Sequence, residues 1–254
     1  MEKILKELDL KFREIFKKYK QRYRKLKIGA FVSGGIDSSI IAFWVKKFFP
    51  DVCFFSLVKE SSHDWDFLNI LEKFLKRKII RVSYDTPKVQ KSLAKVLDIY
   101  RKNCFLEDLT QISLGVGFWI LLEEVSKRKG EIIFSGQGPD VLLGGYHRYK
   151  KVKIKNLNKA IINDLEELEK DRAREKMLAD FWKIKIVYPY LEKKIFNLFL
   201  GVAPELKIKE GKEKYILRKY GEFLNLPAEI VSRPKKAFQY SSGIYKEVKK
   251  LIKS

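Results

Sequence analysis

A short run of glycine, serine and aspartate directly after an apolar segment constrains the fold of this chain more than any other feature. Residues 26–32 are mostly apolar, and they are followed by Ser33-Gly34-Gly35-Ile36-Asp37-Ser38-Ser39. Glycine permits a tight turn and lets a phosphate approach the backbone, while the amides at the start of a helix attract negative charge. The segment therefore predicts a strand, a phosphate-binding turn and a helix.

Asp37 is the unusual member of this turn, because a carboxylate repels a phosphate unless a cation lies between them. Mg²⁺ prefers carboxylate and phosphate oxygens and would remove this conflict. The chain has only two histidines and two cysteines, so carboxylates must hold any metal. The turn thus predicts a nucleotide that binds together with Mg²⁺.

The first 150 residues alternate short apolar runs with helical patterns. Further strands are predicted at 52–58, 78–82 and 131–134, and helices at 66–74, 87–100 and 109–129. This alternation predicts an α/β fold with a doubly wound parallel sheet, whose ligand binds at the carboxyl ends of the strands.

The pattern becomes helical from about residue 150, with predicted helices at 157–181, 191–200 and 212–223 and one at the C-terminus. Apolar residues at helical spacing in 1–25 predict an amphipathic helix that docks on the core. We therefore expect three parts: an N-terminal helix (1–25), a nucleotide-binding core (26–150) and a mainly helical part that completes the active site (151–254).

A second small-residue turn follows the predicted strand at 131–134. Its sequence is Ser135-Gly136-Gln137-Gly138-Pro139-Asp140, and Gly144-Gly145-Tyr146 comes shortly after. Because parallel strands end at the same edge of a sheet, the two turns should meet there. Asp37 and Asp140 could then hold one Mg²⁺ together.

These motifs resemble those of a known family. The first turn resembles the Ser-Gly-Gly-x-Asp-Ser loop (PP-loop) of the N-type ATP pyrophosphatases. Both turns together, with the segments Lys214-Tyr215-Ile216-Leu217-Arg218 and Arg233-Pro234-Lys235, are similar to the synthetase domain of the asparagine synthetase and β-lactam synthetase family. The resemblance covers roughly residues 26–245 and implies an adenine nucleotide alpha-hydrolase-like (HUP-type) fold with a C-terminal helical portion.

The resemblance also implies roles for individual residues. Asp37 and Asp140 would bind Mg²⁺, Lys235 would stabilise charge on the transferring phosphate, and Gln137 occupies a position linked to amidation. The pyrophosphate cradle would be Ser33, Gly34, Gly35, Asp37, Ser38 and Ser39, and the adenosine would lie against Val32, Leu57, Ser135 and Gly136.

The chain departs from the family pattern at the positions linked to the acceptor. Gln137 stands where asparagine synthetases have a glutamate, and an amide cannot act as a general base. Lys185 and Val187 replace a glutamate and an arginine. These differences predict a changed acceptor or nucleophile, whereas the residues for ATP and the metal are kept.

Glutamine-dependent members of the family begin with a glutaminase domain whose first residue is a cysteine. Here residue 2 is Glu2, and about 25 residues precede the strand that leads into the first turn. We therefore expect no glutamine hydrolysis by that route. The nitrogen would come from free ammonia, from an amine, or from a separate glutaminase subunit.

The leading hypothesis is an ATP-dependent carbon–nitrogen ligase that adenylates a small carboxylate substrate, with aspartate as the default, releases pyrophosphate and forms an amide. The net charge of +22 supports an alternative, an enzyme that adenylates a base of tRNA. Lysines on solvated helix faces, or a thermophile composition, would also explain the charge. A third reading is an ATP-binding scaffold or subunit.

Two further expectations concern the environment of the protein. The sequence has neither the apolar core of a signal peptide nor a membrane-spanning run, which predicts a cytoplasmic protein with no membrane partner. Cys53 and Cys104 are isolated in the sequence and are predicted to be free, buried thiols.

Overall fold

A five-stranded parallel sheet forms the centre of the protein. The computed structural model describes residues 1–59, 62, 64–105 and 108–253. The strands are β1 (Ile28–Phe31), β2 (Cys53–Leu57), β3 (Ile79–Val82), β4 (Ile132–Phe134) and β5 (Lys185–Val187), in the order β3-β2-β1-β4-β5. Every neighbouring pair is parallel. Because the order reverses between β1 and β4, the sheet is doubly wound, and the predicted fold class is confirmed.

Helices cover both faces of this sheet. The α-helices are α1 (Glu2–Tyr23), α2 (Ile36–Phe48), α3 (Asp64–Leu75), α4 (Thr86–Lys102), α5 (Leu109–Lys127), α6 (Pro139–Leu142), α7 (Leu157–Asn163), α8 (Leu165–Phe181), α9 (Lys193–Gly201), α10 (Pro204–Lys207), α11 (Tyr215–Phe223), α12 (Ala228–Ser232), α13 (Phe238–Ser241) and α14 (Ile244–Lys253). Short 3-10 helices span His147–Lys151, Ile154–Asn156 and Pro189–Leu191, and a small hairpin pairs β6 (Ile208–Lys209) with β7 (Lys212–Glu213).

The two faces of the sheet belong to two separate apolar cores. Helices α1, α2, α3, α9 and α11 bury their apolar residues on one face, and α4, α5, α8 and α14 bury theirs on the other. Alternation along β4 shows the division, since Ile132 and Phe134 lie in the first core and Ile133 in the second. Strands buried on both faces explain the continuous apolar runs in the sequence.

The region after residue 150 is less uniformly helical than predicted. The predicted helix at 157–181 is interrupted at Asp164, and the one at 212–223 begins with strand β7 and with Lys214 in the left-handed backbone region (φ 55°). Strand β5 was not predicted, because three residues with an exposed lysine carry too little periodicity. Since β5 completes the central sheet, the three-part division of the chain stays a prediction.

The two cysteines are free, as predicted, but both are exposed, so the prediction of burial is wrong. Cys53 is the first residue of β2 and is exposed, whereas the rest of the strand is buried. Cys104 follows α4 in a turn with φ 50°. In the part of the chain that the structure describes, no helix is long and apolar enough to cross a bilayer.

Helix α1 docks on the first core through a cluster of aromatic rings. Phe12 is fully buried, and its ring stacks 5.7 Å from that of Trp44 and 5.6 Å from that of Tyr220. The Tyr190 ring meets it edge-on at 5.7 Å. Trp44 Nε1 donates a hydrogen bond to the Tyr220 hydroxyl at 3.1 Å. The cluster therefore ties α1 to α2 and α11.

Replacing Phe12 with alanine should lower the free energy of unfolding by about 3–5 kcal/mol, because a buried aromatic ring is lost and a cavity remains. Leu10→Ala on the same helix is the matched control, since Leu10 is 57% exposed, and it should change stability by less than about 0.5 kcal/mol. Urea denaturation of both variants measures the difference. Equal midpoints for the two variants would contradict the docking described here.

Candidate nucleotide-binding and active site

A cleft of about 510 Å³ opens at the carboxyl ends of β1 and β4. This is where the strand order reverses, the usual ligand position in doubly wound sheets. Its walls are formed by the turns after β1 and β4, by parts of α5 and α8, and by the segments around Lys214 and 233–239. The two small-residue turns found in the sequence therefore face one cavity.

The conformation of the first turn is fixed by a glycine, by hydrogen bonds of its backbone and by an arginine. Gly34 has φ 69°, and a Cβ there would lie 2.7 Å from Phe67 Cβ, so both conformation and space require glycine. Ser33 N donates to Ser38 Oγ at 3.1 Å, and Arg233 Nη1 donates to the Ser33 carbonyl at 2.6 Å. The turn leads directly into α2, whose N-terminal end faces the cleft.

The second turn packs directly against the first. A Cβ on Gly136 would approach Ser38 N to 2.9 Å, and one on Gly145 would lie 2.5 Å from Asp140 Oδ1. Gly138 has φ 129°, a conformation that side chains disfavour. Gly136 lets the backbones of the two turns come together, and Gly145 leaves room for the Asp140 side chain, so that Asp37 and Asp140 share one part of the cleft.

One lysine joins the two aspartates, and a second lysine pairs with one of them. Lys214 Nζ donates to Asp37 Oδ2 and lies 2.7 Å from Asp140 Oδ1, while Lys235 Nζ donates to Asp140 Oδ2. The Lys214 side chain is 2% exposed. Asp37 Oδ1 is buried and has no hydrogen-bond partner among the described residues. The aspartates thus lie on either side of a buried ammonium.

Burial and charge act in opposite directions in this cluster. Burial raises the pKa of Asp37 above its usual range, although the Lys214 ammonium opposes this. Burial would also raise the pKa of Asp140, but Lys214 and Lys235 together hold the pKa of that carboxyl well below its usual range. Burial would lower the pKa of Lys214, yet the two carboxylates keep it raised. Lys214 therefore stays charged at neutral pH.

The pair of aspartates fits a Mg²⁺ ion that also binds phosphates. Mg²⁺ is usually held by one or two carboxylates, with phosphate and water oxygens as the other ligands. The unpartnered Asp37 Oδ1 is an available ligand atom. Within residues 1–59, 62, 64–105 and 108–253, no group of three or more metal-binding side chains forms a complete cage, so bound phosphates would have to complete the coordination.

The other polar end of the cleft is organised around Asp171. Gln137 Nε2 donates to Asp171 Oδ2 at 2.7 Å, and Arg174 Nη1 donates to Asp171 Oδ1 at 2.6 Å. Arg174 also donates to Gln111 Oε1. Gln137 therefore serves as a hydrogen-bond donor, and a glutamate at this position would place two carboxylates in contact.

The structure brings together most of the predicted site residues. Those that line the cleft are Val32, Ser33, Gly35, Asp37, Ser38, Ser135, Gly136, Gln137, Asp140 and Lys235. Three others lie behind its wall. Gly34 shapes the turn, Ser39 is fully buried in α2, and Leu57 packs against α5, where a Cβ on Gly117 would lie 3.3 Å from it. An apolar wall completes the cleft with Phe31, Leu114, Phe118, Leu121 and Phe238.

Sequence reasoning did not assign roles to several residues of the cluster. Lys214 and Arg218 belong to the matched Lys-x-x-Leu-Arg segment, but the spacing does not show what they contact. Arg218 Nη1 donates to the carbonyls of Val231 at 2.5 Å and Arg233 at 3.0 Å. It also contacts Glu213 at 3.2 Å. Arg218 therefore holds the loop that presents Lys235.

Fold and site together define a doubly wound α/β protein with a phosphate-loop cleft at the point where the strand order reverses. The family model "Asparagine synthase" matches residues 20–187 and 155–254. The chain therefore belongs to the asparagine synthase family, which confirms the resemblance noted in its motifs and the HUP-type fold.

The curated relatives that the chain matches in sequence belong to the same family. Asparagine synthetases (glutamine-hydrolyzing) from Rattus norvegicus and Homo sapiens are each 28% identical over 231 residues, which is 86% of this chain. The chain spans only 40% of the length of these two relatives. A solved structure, the U34-tRNA thiolase NcsA from Methanococcus maripaludis with its [4Fe-4S] cluster, aligns with a TM-score of 0.41 and 16% identity over 96% of this chain and 80% of that one.

Replacing Lys214 with methionine should destabilise the protein by about 3–5 kcal/mol, because two carboxylates lose the cation that they share. Added Mg²⁺ should restore part of this loss, and the loss should shrink at lower pH as Asp37, whose pKa is raised, becomes protonated. Thermal unfolding with and without Mg²⁺ measures both effects.

The matched control is Lys212→Met, two residues earlier and exposed, which should unfold like the wild type under all conditions. If Lys214→Met had wild-type stability and no response to Mg²⁺, the ammonium would not be what holds the two aspartates together.

Proposed function

We propose that this chain is an ATP-dependent carbon–nitrogen ligase that adenylates a small carboxylate and then forms an amide. The carboxylate attacks the α-phosphate of ATP, pyrophosphate leaves, and ammonia or an amine displaces AMP. Aspartate is the default acceptor. The observation that carries the proposal is the charged cluster of Asp37, Lys214, Asp140 and Lys235 between two glycine turns, in a chain of the asparagine synthase family.

The first turn would bind the pyrophosphate part of ATP. Ser33 and Ser38 place hydroxyl groups beside the start of α2, and Gly35 leaves the backbone open. Amides at a helix N-terminus and hydroxyl donors both favour phosphate oxygens. Mg²⁺, held by Asp37 and Asp140, would supply the charge that lets the carboxylates and the phosphates lie together.

Lys235 would act on the reacting phosphate. Its ammonium pairs with Asp140 in the cleft, and 26% of its side chain is accessible to solvent. Adenylyl transfer depends mainly on positioning and on fixed positive charge near the charge that develops. Lys214 is the more buried of the two lysines and would accompany the leaving pyrophosphate.

The adenosine would lie between the apolar wall and the backbone at Val32, Ser135 and Gly136, with Leu57 supporting the wall from behind. The acceptor would lie toward Gln137 and Asp171, where polar groups converge. Gln137 would orient the acceptor through its amide. Free ammonia, an amine or a separate glutaminase subunit in the cytoplasm would provide the nitrogen.

The charge of the protein favours a second candidate, adenylation of a tRNA base. The net charge is +22. Arg148 lines the cleft, and Lys151, Lys153 and Lys155 follow it on the surface and are exposed. Phosphate contacts of this kind weaken steeply with salt, so the salt dependence of tRNA binding separates this candidate from the ligase.

Purified protein with Mg-ATP should release pyrophosphate when aspartate and ammonia are present, with asparagine as product. Other amino-acid carboxylates and bulk tRNA at low and moderate salt complete the panel. Release that requires tRNA would favour the second candidate. ATP binding without release under any of these conditions would favour a scaffold or a missing subunit.

Asp37→Asn and Asp140→Asn should each lower pyrophosphate release about 100-fold or more, because each removes charge that would hold Mg²⁺ beside the phosphates. Asp98→Asn is the matched control on an exposed face of α4 and should keep the wild-type rate. Circular dichroism checks that all three variants fold. Wild-type turnover in both cleft variants would remove the metal assignment.

A further inference from the structure

Glu175 is a buried carboxyl group in the cleft that binds neither the nucleotide nor the metal in the proposed reaction. Glu175 lies on α8 one helical turn after Asp171, and both line the cleft together with Gln137. Residues four apart lie on the same face of a helix. Glu175 is only 1% exposed. Its carboxyl group therefore belongs to the acceptor end of the site.

The contacts of Glu175 leave one of its oxygens without a hydrogen bond of normal geometry. Arg174 Nη2 lies 3.7 Å from Glu175 Oε1, whereas Arg174 Nη1 makes a 2.6 Å bond to Asp171 Oδ1. Glu175 Oε2 and the Tyr188 hydroxyl are both buried and make no hydrogen bond of normal geometry with the described residues, although the Tyr188 hydroxyl acts on the Glu175 carboxyl as a donor and lowers its pKa. One guanidinium thus serves two carboxylates, and it bonds Asp171 more closely.

A buried carboxylate whose hydrogen bonds are incomplete is costly, so such a group is retained where a proton or a cation joins it. Ammonium and protonated amines are cations of this kind, and they must lose a proton before they can act as nucleophiles. Gln137, at the position linked to amidation, cannot accept that proton. Glu175 is a carboxyl on the same wall of the cleft that can.

We propose that Glu175 is the proton acceptor of the amide-forming step and takes a proton from ammonium, or from a protonated amine, bound at the acceptor end of the cleft. This inference rests on the proposed ligase function and extends it. It assigns to the site an ammonium-type substrate in addition to the carboxylate.

The proposed step forms a C–N bond and breaks a C–O bond. Glu175 accepts one proton from ammonium and leaves ammonia with its lone pair. Ammonia attacks the carbonyl carbon of the acyl-adenylate, so that a C–N bond forms, and the C–O bond to the phosphate breaks as AMP leaves with the electron pair. The nitrogen loses a second proton to solvent, and the products are the amide and AMP.

The charges around Glu175 suit this exchange. Burial raises the pKa of Glu175 to about 7, with Arg174 opposing and Asp171 adding to the rise. Arg172 and the Tyr188 hydroxyl are the other charged or titratable groups that act on it. A general base works best when its pKa lies near the working pH, and this carboxyl changes its charge in that range.

Glu175→Gln tests the proposal by comparing amide formed with pyrophosphate released. With ammonium as the nitrogen source, this ratio should fall about 100-fold, the scale of a lost general base. The wild-type ratio should rise with pH through about 7 as the carboxyl ionises. The variant should lack this inflection and follow the fraction of unprotonated ammonia.

Hydroxylamine separates chemistry from structure. It is largely unprotonated at neutral pH and needs no base, so the Glu175→Gln ratio should return toward the wild-type value with this nucleophile. A merely misfolded site would not be rescued. Glu169→Gln on the exposed side of α8 is the matched control and should behave like the wild type with both nucleophiles.

Three possible results would overturn different parts of the proposal. No pyrophosphate release by the wild type with any carboxylate and amine would defeat the ligase function itself. Normal wild-type turnover, with a Glu175→Gln ratio and pH profile like those of the wild type, would overturn the role of Glu175 alone. Equal loss with ammonium and with hydroxylamine would reassign Glu175 to a structural role and would also overturn the proposal.

Discussion

The shared ammonium of Lys214 is the interaction on which the active site depends. Asp37 and Asp140 come from turns after different strands, and two buried carboxylates at this distance repel each other without a cation. Lys214 reaches them from a left-handed position just before α11, far along the chain. The proposed metal ion meets the same electrostatic requirement, because its positive charge would neutralise the two carboxylates and the phosphates together.

A network of buried arginines fixes the position of that cation and of Lys235. Arg218 binds backbone carbonyls of the loop before Lys235, and Arg233 binds both Ser33 and Asp64. Because Arg233 joins this loop to the first turn, the residues around the proposed phosphate site form one connected unit. Such preorganisation matters in phosphate chemistry, where the protein contributes mainly geometry and charge.

The turns, the first four strands and the fold class were predictable because each rests on local pattern: apolar runs, glycines and polar clusters at strand ends. Strand β5 was not, since Lys185 is exposed and only three residues pair with β4. The location of Asp37 and Asp140 in the cleft was predictable, because each follows shortly after a strand of the sheet. The bridging role of Lys214 and the burial of Glu175 could not be predicted, because both depend on contacts between distant segments that periodicity does not encode.

The late position of β5 has a consequence for synthesis of the chain. Strand β4 pairs with β1 on one side, and its partner on the other side, residues 185–187, is synthesised about 50 residues later. Until then Ile132, Ile133 and Phe134 form an open edge without charge or proline, the kind of edge that joins other chains. Slow translation or slow docking of α8 would therefore prolong an aggregation-prone intermediate, which pairing with β5 would end.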